Sequence, residues 1–321
     1  MRKCVASFAL TVVSGVCLAT ACSSSPTNAT DAGSTVKEAG VDAPSEAAPS
    51  DDGGGSDAGG DADGAVANPA YLRLANWSPD AMAVDFCVAP HGSTSFQGPQ
   101  LAQAFADAGA AGLTFPQVSA FVQLAPGQYD VRLVAAGATS CATGMGSDLT
   151  SLPALAAGAY ETVAAVGDVT KMGSDPALSL VAFGDDSAVM NSQDGSLRFI
   201  DASPSIAAAD FGRGSVAGAT FQTFFTNVAF ASASSQADTD AGTVDGAGFM
   251  DVAPFGGGTL STHPTTGGGN ETVGTNVAVN AGDLSTFVLV NGKTGGPAPQ
   301  LLQCYDSQAD GMLTHCKIVS Q

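Results

Sequence analysis

Residues 71–86 read YLRLANWSPDAMAVDF, and residues 196–211 read SLRFIDASPSIAAADF. The two stretches are identical at seven of sixteen positions without a gap, at an offset of 125 residues. Two later landmarks recur in the same order: FVQLAP (121–126) with FMDVAP (249–254), and Ala157-Gly158 with Ala281-Gly282. Three landmarks in one order predict an internal duplication, with one unit of about 120 residues in each half.

Each unit has the periodicity of β-strands. Residues 71–74 and 129–133 alternate between apolar side chains and polar or amphipathic ones. A period of two predicts strands with one buried face and one face in water. The pair Asn291-Gly292, which follows an apolar run, predicts a tight hairpin. Short strands between such turns predict an all-β fold, with two tandem immunoglobulin-like antiparallel β-sandwich domains after a disordered linker.

The first 21 residues are typical of an export signal. A basic pair precedes an apolar stretch of 14 residues, 5–18, which is too short to span a bilayer. The sequence LATACS (18–23) resembles the lipobox of bacterial lipoproteins, in which small residues precede the cysteine that is lipidated. We expect residues 1–21 to be a lipoprotein signal peptide and Cys22 to carry the lipid. The alternative is an ordinary secretory signal in which Cys22 is incidental.

Residues 22–68 are predicted to form a disordered acidic linker, because they are mostly Ser, Asp, Gly and Ala. Such a composition cannot bury enough apolar surface to offset the entropy of ordering the chain. In the lipoproteins that this chain resembles, a residue other than Asp after the lipidated cysteine favours the outer membrane, and Ser23 has this position. The expected location is the bacterial cell envelope, as an outer membrane lipoprotein on either membrane face.

The charge of the chain excludes one class of partner. Its 30 acidic and 10 basic residues give a formal net charge of −20. A protein that grips nucleic acid phosphates needs a basic face, so nucleic-acid binding is not expected. After the linker, the duplication divides the chain into a first β-sandwich repeat at 69–190 and a second at 191–321.

Four cysteines follow the linker: Cys87, Cys141, Cys304 and Cys316. An even number of cysteines in an exported chain predicts disulfides, because thiols oxidise outside the cytoplasm. Three pairings are possible. We favour Cys87–Cys141 and Cys304–Cys316, because each bridge then lies within one repeat; buried free thiols are the alternative.

The duplication repeats one set of polar residues and prolines. They are Arg73, Ser78, Pro79 and Asp85 in the first copy, and Arg198, Ser203, Pro204 and Asp210 in the second. A nucleophilic serine would need a histidine within reach, but the three histidines do not recur between the copies, and no Gly-x-Ser-x-Gly elbow is present. We therefore predict no catalytic residue. The serine hydroxyls are expected to cap turns that the prolines initiate, and the aspartates to accept hydrogen bonds from the backbone or the arginines.

The sequence predicts no metal site and no cofactor. Its histidines have no His-x-x-x-His spacing, and the four cysteines have no Cys-x-x-Cys spacing. The acidic loops at 184–186 and 238–246 could hold calcium, since hard cations prefer clustered carboxylates. Solvated acidic loops are the favoured interpretation of both segments.

The repeated element is Leu-Arg, four residues, Ser-Pro, five residues and Asp-Phe, and in the first copy an Ala-Pro-Gly turn and the strand YDVRL follow it. This pattern resembles domain-of-unknown-function family 4397 over nearly all of residues 69–321. Members of that family occur mainly in exported bacterial proteins, often in tandem, with a predicted immunoglobulin-like sandwich. The resemblance implies a location and a fold, and it supplies no activity.

These observations favour a non-catalytic envelope lipoprotein that displays two β-sandwich repeats for adhesion or ligand binding. Its expected partners are the membrane, through the lipid anchor, and an unknown protein or glycan. One alternative is an envelope hydrolase or glycan-processing enzyme, which would need histidine and carboxylate groups that converge in a pocket. A purely structural surface spacer is a third hypothesis.

Overall fold

The computed structural model describes residues 68–104, 112–215, 220–238, 242–265, 271–292, 294–306 and 314–320. The predicted signal peptide, Cys22 and all of the predicted linker except Asn68 lie outside the described residues. Within these ranges one short helix accompanies eighteen strands, so the all-β prediction is confirmed. No helix in this part of the chain is long and apolar enough to cross a membrane.

The first half contains seven strands and the helix. They are β1 Ala70–Asn76, β2 Val84–Pro90, α1 Gln100–Ala104, β3 Gln117–Val118, β4 Val122–Leu124, β5 Tyr129–Ala135, β6 Tyr160–Val166 and β7 Ser179–Asp185. β1 lies at the centre of a sheet, with β3 and β4 on one side and β6 and then β7 on the other. β2 and β5 form a separate two-stranded sheet that completes the first sandwich.

The second half contains eleven strands. They are β8 Gly195–Asp201, β9 Ala208–Arg213, β10 Gln222–Ala229, β11 Ser232–Ala233, β12 Met250–Val252, β13 Phe255–Pro264, β14 Thr272–Val279, β15 Leu284–Val290, β16 Gln300–Tyr305, β17 Thr314–His315 and β18 Lys317–Ile318. β8 occupies the place of β1, between β11 and β12 on one side and β15 and β16 on the other. The opposing sheet has the order β10-β9-β13-β14.

The central strand pair of each half is parallel, so the sheets are mixed and the expectation of purely antiparallel sheets is wrong. Tyr71 is paired with Tyr160 in the parallel register of β1 and β6, and Ser196 with Leu284 in that of β8 and β15. Between the paired strands the chain visits the opposing sheet twice, and in between it enters the first sheet antiparallel to the central strand, as β3 and β4 or as β11 and β12. Residue alternation shows which side chains share a face, but it does not encode the direction of the partner strand.

Two apolar cores fill the two sandwiches. The first contains Leu72, Phe86 and Val163, all at most 1% exposed. In the second, the rings of Phe199 and Phe211 stack at a centroid distance of 4.8 Å. Each such side chain contributes about 1.5–3 kcal/mol when it leaves water. Alternate residues of the strands supply these cores, as their period of two predicts.

A third core lies between the two halves, where the sequence predicts a face in water. Trp77 and Phe183 from the first half pack with Ile200, Val288 and other side chains from the second. Both faces of β1 and of β8 are therefore buried, and the expectation of one wet face is wrong for these strands. A second repeat of the same shape takes the place of water, and local alternation does not reveal such a partner.

The end of the chain joins the two halves. β17 pairs with β3 in the sheet of the first half, whereas β18 pairs with β16 in the second. Cys316 lies between them and donates its backbone N–H to the carbonyl of Pro116. The predicted boundary at residues 190 and 191 falls between β7 and β8, and residues 314–315 extend the sheet of the first half.

Both disulfides connect the cysteines that the sequence favours. Cys87 is bonded to Cys141, and Cys304 to Cys316. Each bridge contributes about 2–4 kcal/mol by restricting the unfolded chain. β15 and β16 form the hairpin predicted after the apolar run, but the prediction of a tight turn at Asn291-Gly292 is wrong, because nine residues, 291–299, separate the two strands.

Candidate functional site

Arg73, the arginine of the first repeated motif, lies on β1 and is 5% exposed. Its guanidinium donates hydrogen bonds to Thr162 at 2.8 Å, to Asp185 at 2.6 Å and to Asp306 at 2.5 Å. Its central carbon lies 4.8 Å from the centroid of the Phe121 ring. Asp306 belongs to the second half, so one side chain connects both repeats.

Arg198 occupies the matching place on β8 and is fully buried. It donates to Thr286 at 2.7 Å, to Asp185 at 3.2 Å and to the carbonyl of Gly184 at 2.5 Å. Its central carbon lies 4.5 Å from the ring centroid of Phe249. Each arginine thus contacts Asp185, a threonine of the parallel neighbouring strand and a phenylalanine ring, and each reaches across to the other half.

Arg73, Asp185, Arg198 and Asp306 form a group that we name the inter-repeat quartet. Its formal charges cancel, which is what makes burial of four ionised groups tolerable. Burial alone would raise the pKa of the Asp185 carboxyl, but the guanidinium groups of Arg198 and Arg73 hold it below its ordinary value. Burial likewise opposes the charge of Arg73, but Asp185 and Asp306 raise the pKa of Arg73. The quartet is a structural contact between repeats.

The repeated serines lie at corners that are packed shut. Ser78 Oγ donates to the carbonyl of Gly167 at 2.6 Å, and Ser203 Oγ donates to the carbonyl of Asn291 at 2.6 Å. Both serines are 0% exposed. The expectation that the hydroxyl caps the turn begun by the following proline is wrong for Ser203, whereas Ser78 Oγ also lies 3.4 Å from Asp80 Oδ1, within its own turn.

The residue two positions before each serine stabilises the corner from within. The side-chain oxygen of Asn76 accepts the backbone N–H of Ser78 at 3.3 Å, and that of Asp201 accepts the N–H of Ser203 at 3.0 Å. Such a local side-chain acceptor is typical of Asn and Asp at turns. Burial raises the pKa of Asp201 well above its ordinary value, against the opposing effect of the Ser203 N–H.

The repeated aspartates accept hydrogen bonds from the backbone and not from the arginines. Asp85 accepts the N–H groups of Leu101 and Ala102, both at 2.9 Å, at the beginning of α1. Asp210 accepts the N–H of Asn227 at 2.7 Å. Burial raises the pKa of Asp85 in spite of these backbone donors. Arg73 and Arg198 use other carboxylates, those of the quartet.

We expect Ser203→Ala to lower the free energy of unfolding by about 1–3 kcal/mol, because the buried carbonyl of Asn291 loses its donor. Urea denaturation measures this change. Ser205→Ala, at an exposed position of the same turn, is the control. An unchanged stability in the Ser203 variant would contradict a structural role for the hydroxyl.

His91 contacts Asp130, with its Nδ1 2.7 Å from a carboxylate oxygen. Among the described residues no group of three or more His, Cys, Asp or Glu side chains is placed to hold a metal ion. Part of the acidic segment 238–246 lies outside the described residues.

A cleft of about 460 Å³ lies between the two repeats and brings the two acidic loops together. Tyr160, Asp186 and Met190 line it from the first half, and Asp245 and Gly246 from the second. Burial, and then a hydrogen bond with Asp245, raise the pKa of Asp186 to about 6. The solvated loop expected at 184–186 is wrong for Asp185, which is buried in the quartet. We name this cavity the acidic cleft.

An aromatic cluster borders the acidic cleft. The rings of Tyr71 and Tyr160 stack at 4.4 Å with an interplanar angle of 5°. Phe121 meets Tyr160 edge-on at 5.0 Å and 85°. A second cleft of about 460 Å³, lined by both tyrosines with Ala157 and Gly158, lies beside this stack, and we name it the tyrosine cleft. Tyr160 lines both clefts.

The motif that begins at Leu72 and recurs at Leu197 thus keeps the same buried contacts in both halves, and a family model matches the region that contains both copies. Residues 70–212 match the model of the family described as domain of unknown function (DUF4397). The DUF4397 match covers the first repeat and the Ser-Pro motif of the second. The resemblance over nearly all of residues 69–321 is therefore shown only for the range that ends at residue 212.

Among solved structures, the chain is similar to the carbohydrate-binding module CBMbc (family CBM26) of Eubacterium rectale Amy13K, in a crystal structure with maltoheptaose. The identity is 12%, the match covers 75% of this chain and 99% of that chain, and the TM-score is 0.17. A TM-score of this size supports no argument about fold or ligand. No curated protein matches the chain.

The acidic loops of the cleft were weighed in the sequence as calcium candidates, but the tyrosines of the two clefts were not among the candidates. Tyr71 and Tyr160 occupy strand positions that the duplication fills with Ser196 and Leu284 in the second half. The residues that recur between the two copies serve the shared fold, so recurrence does not point to the tyrosines. A useful signal is an aromatic residue that occurs in only one copy, because the shared fold does not require it and it is free to serve a binding role.

Proposed function

We propose that this protein is a non-catalytic, lipid-anchored protein of the bacterial cell envelope that binds a ligand in the acidic cleft between its two repeats. One observation carries the proposal: both halves contribute walls to a cleft of about 460 Å³. This volume lies in the range of ligand pockets, which occur preferentially where two domains meet. The contacts of the quartet hold the two repeats in one relative position, and this position determines the shape of the cleft.

The use of the repeated polar residues supports a non-catalytic role. Ser78 and Ser203 donate to backbone carbonyls, and Asp85 and Asp210 accept backbone N–H groups. A nucleophile needs an accessible side chain and a base within hydrogen-bonding reach. These side chains instead form hydrogen bonds with backbone groups at chain corners and strand ends. An envelope hydrolase remains the competing hypothesis, and detection of turnover would favour it.

The sequence around Cys22 supports the anchoring part of the proposal. Small residues precede this cysteine, and a Ser-rich, acidic segment separates it from the first strand. A linker of that composition would hold the repeats away from the membrane surface. Labelling the full chain with a radioactive fatty acid tests the anchor: label in the unmodified chain and none in Cys22→Ser supports it, and equal label in both contradicts it.

Binding is tested with the full chain on arrays of glycans and proteins. We expect saturable binding that Gly246→Phe weakens at least tenfold, because the new ring would fill the acidic cleft. Within the described residues, a Cβ atom at Gly246 meets no heavy atom within 4 Å, so the side chain fits without strain. Gly256→Phe is the matched control, since a Cβ there is equally free of contacts. Binding that survives Gly246→Phe, or no binding at all, would contradict the proposal and favour a spacer.

A further inference from the structure

We infer that the ligand is an uncharged oligosaccharide that lies across Tyr160 and occupies both the acidic cleft and the tyrosine cleft. This inference rests on the proposed binding function and adds the chemical class of the ligand. It depends on three features of the described residues: a supported aromatic side chain, two half-buried carboxylates, and two clefts that meet at one residue.

Tyr160 is held in a fixed orientation before any ligand arrives. It stacks on Tyr71 at 4.4 Å and receives the edge of Phe121 at 5.0 Å. The parallel register places it beside Tyr71 on one side, and the antiparallel register places Asp185 on the other. A supported, partly exposed tyrosine offers apolar surface at low entropic cost together with a polar hydroxyl. The C–H face of a sugar ring complements such a surface.

The polar groups of the acidic cleft are acceptors. Asp186 and Asp245 present carboxylate oxygens to the cleft, and an ionised carboxylate accepts hydrogen bonds without donating any. Sugar hydroxyl groups supply the complementary donors. No Lys, Arg or His is among the described residues that line either cleft. The nearby guanidinium groups of Arg73 and Arg198 are bound within the quartet, so an acidic glycan would find no cation there.

A basic peptide is less suited to the acidic cleft than a neutral sugar. Asp185 is neutralised by two arginines, which leaves Asp186 and Asp245 as the carboxylates that face the cleft. Burial, and then the hydrogen bond with Asp245, raise the pKa of Asp186 to about 6, so Asp186 loses its charge below that pH. The charge that would attract an ammonium group therefore decreases as the pH falls through about 6. Hydroxyl donors do not need that charge.

The size of the site indicates a chain of several sugar rings. Each cleft has a volume of about 460 Å³, and Tyr160 lines both. A ligand that fills one cleft only would leave half of this surface in water. Affinity should therefore increase with the length of the oligosaccharide until both clefts are occupied, and then remain constant.

The test uses the full chain in detergent and calorimetric titration. The probes are neutral gluco-, manno- and xylo-oligosaccharides of one to six rings, acidic oligogalacturonides of the same lengths, and oligolysine. We expect at least one neutral series to bind, with at least a tenfold gain between one ring and the plateau length. Gly246→Phe should abolish the contribution of the acidic cleft, and Ala157→Trp, at an exposed position, that of the tyrosine cleft. Each variant should shorten the plateau length, whereas Gly256→Phe should not.

The outcomes separate the two proposals. Thermal melting of each variant first establishes that it is folded. Binding of oligolysine or oligogalacturonide that Gly246→Phe removes, without binding of any neutral series, would overturn the sugar inference and leave the proposed binding function intact. Length-dependent neutral binding that both blocking variants leave unchanged would overturn the assignment to these clefts. No binding in any series would overturn both proposals.

Discussion

Arg198→Met should lower the free energy of unfolding by about 3–5 kcal/mol, the usual cost of removing one member of a buried ion-pair network. The variant leaves Arg73 as the single cation beside two carboxylates, Asp185 and Asp306. It also leaves the carbonyl of Gly184 without the guanidinium donor that now lies 2.5 Å away. Urea denaturation at pH 7, with intrinsic tryptophan fluorescence as the signal, measures the change.

Two comparisons make this result specific. Arg213→Met removes a guanidinium that lies 4.9 Å from the Phe255 ring at an exposed position, and it should cost at most about 1 kcal/mol. Combining Arg198→Met with Asp306→Asn leaves one cation and one anion, so the double variant should be more stable than the sum of the single effects predicts. A loss below 1 kcal/mol in Arg198→Met would show that the quartet contributes little.

Glu161→Gln should stabilise the protein at pH 8 by about 2–3 kcal/mol and change its stability little at pH 4. Glu161 is 7% exposed, and burial, followed by the charge of Asp185, raises the pKa of its carboxyl from 4.5 to about 7. The folded state therefore holds the proton more tightly than the unfolded state does. The stabilisation that protonated Glu161 contributes is complete below about pH 4.5 and is lost as the pH rises through about 7.

The glutamine amide resembles the protonated carboxyl and does not titrate. The difference in unfolding free energy between Glu161→Gln and the unmodified chain, measured from pH 4 to pH 8, isolates this one group. Asp186, whose pKa is raised to about 6, titrates in the same range in both proteins. The second half has a neutral residue, Ser285, at the matching strand position.

The opposite pH dependence of stability is expected for Asp148, which is paired with Arg132. The hydrogen bond from Arg132 lowers the pKa of Asp148, so its stabilising effect is present above the ordinary pKa and is lost as the pH falls. Asp148→Asn should therefore destabilise the protein at pH 8, by less than about 1 kcal/mol, because both side chains are partly exposed. Equal effects of the two substitutions at pH 8 would contradict the role assigned to Glu161.

The repeated arginines show how far sequence reasoning reaches. Alternation around Leu72 and Leu74 correctly placed these side chains in a core, and it placed Arg73 on the opposite face. It did not reveal that this face is buried. The carboxylate partners lie 112 and 233 residues further along the chain, at strand ends with no recognisable repeated motif.

The serine corners show a similar limit. Their recurrence correctly marked them as shared structure, but the acceptor of each hydroxyl follows a parallel strand 88 or 89 residues away. A Ser-Pro pair predicts a turn from local chemistry alone. It contains no information about which distant carbonyl the fold brings to that turn.

The amino-acid sequence by itself determined the strands, the duplicated motif, the DUF4397 match over residues 70–212 and the cysteines available for bridges, because each depends on local periodicity, local identity or residue chemistry. Only the tertiary structure decided the parallel direction of β1 and β6, the burial of the quartet and the position of the two clefts. These depend on pairings across more than 80 residues, and many such pairings are compatible with the same alternation of side chains.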